Sequence, residues 1–227
     1  MLEILFEDNH LIIINKKPSE LTQGDITGDK TLGDKIKDYL KKKYNKPGNV
    51  YLGITHRLDR PTSGVIIFTK TSKALIRLNE LFKKNEIKKT YWAIVKSINK
   101  KGPEKLENFL IKNQKQNKSY VTENSNKKAK KAILYFKTIF ELQKYSLLKI
   151  KLETGRHHQI RTQLSNIGFP IKGDLKYGFP RSNNDGSIHL HSRKINFTHP
   201  VTKKNIEIIA KPPKNNIWDL CLNCEEK

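Results

Sequence analysis

The chain has 227 residues, and its 45 Lys and Arg against 22 Asp and Glu give a formal charge of +23. Apolar residues make up 36% of it, enough for a core, while so large a cationic surplus points to a polyanion partner, nucleic acid before membrane. No apolar run reaches the roughly 18 residues of a membrane-spanning helix, which excludes a helical membrane protein.

In chain order, segments 3–7 and 10–15 read as paired strands. Acids precede this apolar stretch and no small-residue cleavage site follows it, so it does not read as a signal peptide. Thr31 is positioned to cap a helix over 32–44, with Leu32, Ile36, Tyr39 and Leu40 on one face, and NKPGN (45–49) breaks it. A strand over 50–55 leads into HRLDR (56–60), and GVIIFTK (64–70) is a strongly apolar strand. Ser72 is placed to cap a second helix with Leu75, Leu78 and Leu81 inward. Strand-like runs follow at 90–97, 132–140 and 145–153. Between them, 112–131 is a Lys/Asn/Ser stretch that reads as an exposed hairpin or flexible basic loop. Segment 157–167 reads as a helix with Ile160, Leu164 and Ile167 on one stripe and Gly168 as terminator. Strands at 188–198 and 205–210 flank a THPVTKK turn, and 214–227 is left as a tail. No repeat, linker or regular βαβ alternation is visible, so 1–227 is expected to be a single α+β domain: a mixed, largely antiparallel sheet flanked by helices.

Three segments carry chemistry. The chain holds 38 Lys but only seven Arg, and four of the seven, Arg57, Arg60, Arg156 and Arg161, fall in two short segments. The guanidinium fork suits carboxylates and phosphates. In THRLDRPTSG (55–64), Asp59 sits between Arg57 and Arg60 in a strand-to-strand loop, where a flanking Arg would hold it ionised and aimed. The same pattern is equally that of a turn Asp in a structural salt bridge. In ETGRHHQIRTQLSNIG (153–168), Arg161 lies one helical turn after His157, so both can face one site, unless this is an ordinary basic helix with solvated histidines. In KKTYWAIVK (88–96), Tyr91 and Trp92 take opposite faces of a strand, and a Tyr beside Lys88 and Lys89 can stack on a base or pack in the core. No acidic or Cys ligands stand at convincing spacing near the histidines, so no metal is expected. The only cysteines, Cys221 and Cys224, form one CxxC pair near the C-terminus, which reads as incidental and fits a cytoplasmic protein without a disulfide framework.

HRLDRPTSG resembles the catalytic signature of the RluA-type RNA pseudouridine synthases. KKTYWAIV resembles their Tyr motif, TGRHHQIRTQL with GFPIKGDLKYG their third signature, and HLHSRKINFTHP the strand near their C-terminus. Order and approximate spacing agree over residues 2–212. The resemblance implies a pseudouridine synthase catalytic domain without the S4 RNA-binding module, with its active site in a central basic cleft. Implied roles are Asp59 as the essential carboxylate, Tyr91 stacking on the target base and helping to remove the C5 proton, and Arg161 pairing with the Asp. Arg57 would hold the flipped nucleotide, with Arg60, Arg156, His157, Lys88 and Lys89 as further RNA contacts. The expected partner is rRNA or tRNA and the expected state a monomer, with no cofactor, membrane or protein partner. A non-catalytic RNA-binding module and a nucleic-acid glycosylase remain as alternatives.

Overall fold

A computed structural model describes residues 2–24, 28–97, 103–123 and 126–222. Its contacts gather into two compact units, one of residues 1–88 and 192–212, the other of 89–191 and 213–227. Each unit is built from non-contiguous pieces of chain. That is why no linker stands out in the sequence: the chain leaves the first unit after residue 88, returns to it at 192 and leaves it again after 212.

The first unit opens with the hairpin β1 (Ile4–Glu7) and β2 (Leu11–Lys16), paired antiparallel with Glu7 opposite Ile12. Asp8 closes the turn, its carboxylate accepting from the backbone N–H groups of His10 and Leu11. Helix α1 (Leu32–Lys43) begins at Thr31 in a reciprocal capping box with Asp34, and Lys41, Lys42 and Lys43 complement the dipole of its last turn. Strand β3 is short, Gly53–Ile54 only, against the six residues expected at 50–55. Strand β4 (Ser63–Thr69) is buried along its whole length, which fits the unbroken apolar run there. It lies between β2 and β10 (Leu190–Thr198), and β11 (Asn205–Ile209) pairs with the far side of β10.

Helix α2 (Ser72–Lys83) packs its Ala74 and Leu78 on Leu11, Ile13, Val65, Ile67, Ile195 and Phe197. Each fully buried aliphatic side chain of this cluster contributes about 1.5–3 kcal/mol. The cap of α2 is Thr71, whose hydroxyl accepts from Ala74 N–H, rather than Ser72, which is already the first helical residue. Gly64 adopts φ +114°, and a Cβ there would strike the backbone of Ser192, so the strand pairing of β4 with β10 requires glycine at this place.

The second unit carries an antiparallel array in the order β5 (Lys88–Lys96), β9 (Tyr145–Leu152), β8 (Lys130–Glu141), β6 (Glu104–Asn113), β7 (Lys118–Thr122). The stretch expected as a hairpin or loop over 112–131 contributes the ends of β6 and β8 and all of β7. Strand β6 has no counterpart among the strands expected from sequence, because EKLENFLIKN alternates only weakly. Helix α3 (Gln159–Asn166) follows, then a 3-10 turn at Leu175–Tyr177. The tail is not free chain through residue 222. It forms α4 (Asn216–Leu222), whose Trp218 and Cys221 are buried with Trp92, Ile94 and Leu147. Cys224 lies outside the described residues. The architecture is α+β with antiparallel pairing wherever the register is described, and none of its described helices is long and apolar enough to cross a membrane.

Candidate active site

Asp59 belongs to the first unit. Its loop is short and apolar at its root: Leu58 is buried, while Asp59 is half-buried and Arg57 and Arg60 are exposed. The turn closes with Thr62 N–H donating to Asp59 C=O at 3.0 Å. The chain around 16–22 holds this loop from behind. Ser19 N–H donates to Arg60 C=O at 2.9 Å, and Thr22 Oγ1 donates to Leu58 C=O at 3.2 Å.

The principal anchor is Lys16, at the end of β2 opposite Gly64. Its side chain is fully buried, 0% exposed, and its Nζ donates to the carbonyls of Thr62 at 2.7 Å, Lys17 at 2.9 Å and Arg60 at 3.1 Å. Three acceptors around one ammonium satisfy its three donors. Burial pushes the Lys16 amine down to about 8, against the opposing pull of the nearby Glu20 and Asp59 carboxylates. A buried cation thus stands behind the carboxylate loop, and sequence reasoning did not find it. The only signal available was a Lys ending the apolar run LIIIN, an odd place for an exposed residue.

The two flanking arginines reach outward. Arg60 forms an exposed salt bridge to Asp29 at 2.8 Å, and Arg57 donates to Gln23 Oε1 at 3.5 Å. Lys88 is exposed and donates to Asn85 C=O at 3.2 Å.

The other named residues belong to the second unit. Tyr91 lies on β5 opposite Ile150 and is 7% exposed. Its neighbour Trp92 is core, its ring stacked on Trp218 at 6.4 Å. Lys89 is half-buried, and burial lowers its amine below the ordinary lysine value. Arg161 is 4% exposed and holds Asp174 in a bidentate pair, Nε to Oδ2 at 2.7 Å and a terminal nitrogen to Oδ1 at 2.9 Å. Its guanidinium also lies 4.9 Å from the centre of the Tyr177 ring. Fork, carboxylate and ring together leave Arg161 one orientation. Asp174 and Tyr177 come from GDLKYG, and neither was singled out in sequence.

His157 and Arg161 do not share a helical face. The helix starts at Gln159, and His158 takes a left-handed conformation, φ 51°, just before it. His157 turns to the β6–β7 hairpin, with Nδ1 2.8 Å from Ser119 Oγ and Nε2 3.1 Å from Asn117 Oδ1. His158 instead meets the Tyr177 hydroxyl at 3.0 Å, and that hydroxyl accepts from Ser119 N–H at 2.8 Å. Burial pushes the Tyr177 phenol above its ordinary value, so it stays protonated. Lys176 adds bonds at 3.3 Å to the carbonyls of Gln116 and Asn117. The tip of the hairpin is therefore tied down at 116–119. Arg156 is exposed, with Nε donating to Lys131 C=O at 2.8 Å. Among the described residues no group of His, Cys, Asp and Glu could hold a metal ion.

Residues 10–166 match the sequence model described as RNA pseudouridylate synthase. Over 215 residues the chain is 35% identical to the ribosomal large subunit pseudouridine synthase C of Buchnera aphidicola subsp. Baizongia pistaciae, covering 91% of this chain and 66% of that protein, so it spans just under two thirds of that relative's length. It is 30% identical over 238 residues to the tRNA pseudouridine synthase C of Yersinia pestis, covering 96% of this chain and 87% of that one. Among solved structures, human RNA Pseudouridylate Synthase Domain Containing 4 shares the fold, with a TM-score of 0.76 over 99% of this chain and 93% of that one at 21% identity.

Proposed function

Since the chain belongs to the RNA pseudouridylate synthase family, we propose that it isomerises uridine to pseudouridine in ribosomal or transfer RNA, with Asp59 as the catalytic carboxylate. The observation that carries this reading is the extent of the family match. Residues 10–166 take in HRLDR, KKTYW and GRHHQIR together, and with them Asp59, Tyr91 and Arg161. The relatives named for ribosomal and for transfer RNA both align over more than nine-tenths of this chain, which supports RNA as the substrate and leaves two classes of it.

The reaction breaks the N1–C1′ bond of uridine, turns the base and joins C5 to C1′. The C5 proton is lost and N1 regains one, so the mass does not change and nothing is oxidised. Breaking the glycosidic bond builds positive charge on the sugar, which a fixed carboxylate can trap or stabilise. The Lys16 anchor suits that task, because it fixes the chain just after Asp59 through the backbone carbonyls of Arg60 and Thr62. Tyr91 is assigned to stack on the base and to help remove the C5 proton, and Arg161 to keep Asp59 ionised. Base flipping is needed because the reacting atoms are out of reach inside a helix. Arg57, Arg60, Arg156, His157, Lys88 and Lys89 are assigned to the RNA.

Pseudouridine mapping of total RNA, treated or not with the purified protein, tests the reading. Conversion at discrete uridines with no mass change is expected. Binding without conversion would mark a non-catalytic RNA-binding protein, and release of free uracil a glycosylase.

A further inference from the structure

The second unit contains a pocket of about 310 Å³ that the proposed chemistry does not use. Its walls come from the open ends of β6, β7 and β8 and from the turn that precedes α3. Lys112, Lys128, Lys130 and Arg156 line it, with His157 beside them, and among the described residues no acidic side chain does. The remaining wall includes Leu110 and Ile111, of which Leu110 shares its face of β6 with Lys112.

Two of these groups are held in place. Arg156 is braced through its Nε on the Lys131 carbonyl, and His157 is braced at both ring nitrogens by Ser119 and Asn117. Both braces come from the β-hairpin or its neighbour strand. The hairpin is itself pinned by Lys176 and Tyr177. Gathering four cations around one cavity with no carboxylate in its lining costs repulsion, and an anion would relieve it. The size decides the class of anion. About 310 Å³ lies at the lower end of the range of small-molecule sites, roughly 300–1,000 Å³, too large for a bare phosphate group and suited to one nucleotide.

We propose that this pocket receives one unstacked nucleotide of the substrate RNA, outside the target uridine, with its phosphate against Lys112, Lys128, Lys130 and Arg156 and its base against the wall at Leu110. The inference rests on the reading of the chain as an RNA-modifying enzyme, and it adds a recognition site to that reading. The pocket grips backbone charge and offers an aliphatic face, so it selects for a splayed single strand more than for a base identity. The basic hairpin then acts as one wall of a formed site.

The test uses the full chain and a fluorescein-labelled single-stranded oligouridylate, with binding followed by anisotropy across a salt series. Lys112→Glu/Lys130→Glu is compared with Lys37→Glu/Lys41→Glu, which changes net charge equally on the exposed side of α1. Circular dichroism and thermal melting establish that each variant is folded, and Lys112→Ala/Lys130→Ala takes the place of the first should it fail to fold. Expected for the pocket variant is at least a tenfold weaker Kd and a salt slope shallower by about 0.7, for the one phosphate no longer neutralised. The α1 variant is expected to lose less than threefold. In pseudouridine formation on total RNA, the fall in kcat/KM of the pocket variant should lie mainly in KM. Equal losses in the two variants, or an unchanged slope in the pocket variant, would overturn the proposal. A wild-type protein that forms no pseudouridine, yet shows the pocket-specific loss of oligouridylate binding, would sink the enzymatic reading and leave the nucleotide site standing.

Discussion

Lys16 Nζ donates to the carbonyl of Thr62 at 2.7 Å, so a fully buried cation holds the chain three residues beyond Asp59. The arrangement ties a strand end to the loop it faces, and three carbonyl acceptors offset part of the cost of burying the ammonium.

This relationship has a pH signature. The Lys16 amine titrates at about 8 in the folded protein and at the ordinary 10.5 when unfolded. Below pH 8 the buried charge lowers stability by roughly 3 kcal/mol relative to an unperturbed lysine. Between pH 8 and 10.5 the unfolded chain binds the extra proton, so stability contributed by this group rises as pH rises. Denaturant unfolding of wild type and Lys16→Met from pH 7 to about 10.5 should show this rise only in the wild type. Lys16→Met should also cut turnover at least tenfold, because the carbonyls of Thr62 and Lys17 lose the donor that holds them. Parallel stability curves for the two proteins would exclude the assignment.

Asp59→Asn preserves size and most hydrogen bonds and removes the charge. Turnover should fall by on the order of a thousandfold or more, with RNA affinity changed less than severalfold. Single-turnover pseudouridine formation together with equilibrium RNA binding gives both quantities. Near-wild-type conversion by this variant would remove Asp59 from the mechanism.

Tyr91→Phe keeps the ring and deletes the hydroxyl. RNA binding should persist and isomerisation should largely disappear. If the variant reacts at the normal rate, the hydroxyl has no chemical task and Tyr91 serves only as a stacking surface.

Asp174→Asn removes the carboxylate charge that the buried Arg161 guanidinium meets through two of its nitrogens. Breaking a buried pair in this way costs about 3–5 kcal/mol, which for a chain of this size lowers Tm by roughly 10 °C. Scanning calorimetry measures this directly. An unaltered Tm would mean that Arg161 does not depend on Asp174 for its place, and that the pair is not the positioning device inferred from its geometry.

The parts of the fold that were legible in the sequence are those with strong local signals. Thr31 announces α1 as its cap, and the unbroken apolar run of β4 announces a buried strand. Strand β6 was missed because its alternation is weak, so its placement comes from pairing with β7 and β8. The helical pairing of His157 with Arg161 failed for a local reason: the left-handed His158 delays the helix by two residues and turns His157 to Ser119. In the candidate site, Asp59, Tyr91 and Arg161 could be named because short motifs surround them. Lys16, Asp174 and Tyr177 could not, since what they do depends on which backbone atoms and rings reach them only after folding.

The interleaving of the two units also sets an order of events during synthesis. Residues 192–212 complete the sheet of the first unit, so β4 has no β10 beside it until well over a hundred further residues have left the ribosome. Until then an apolar strand, SGVIIFT, keeps one edge open to pairing with another chain. A nascent chain arrested before Ser192 would be a sticky, half-finished sheet, and the protein becomes safe from its own aggregation only once residues 192–212 emerge.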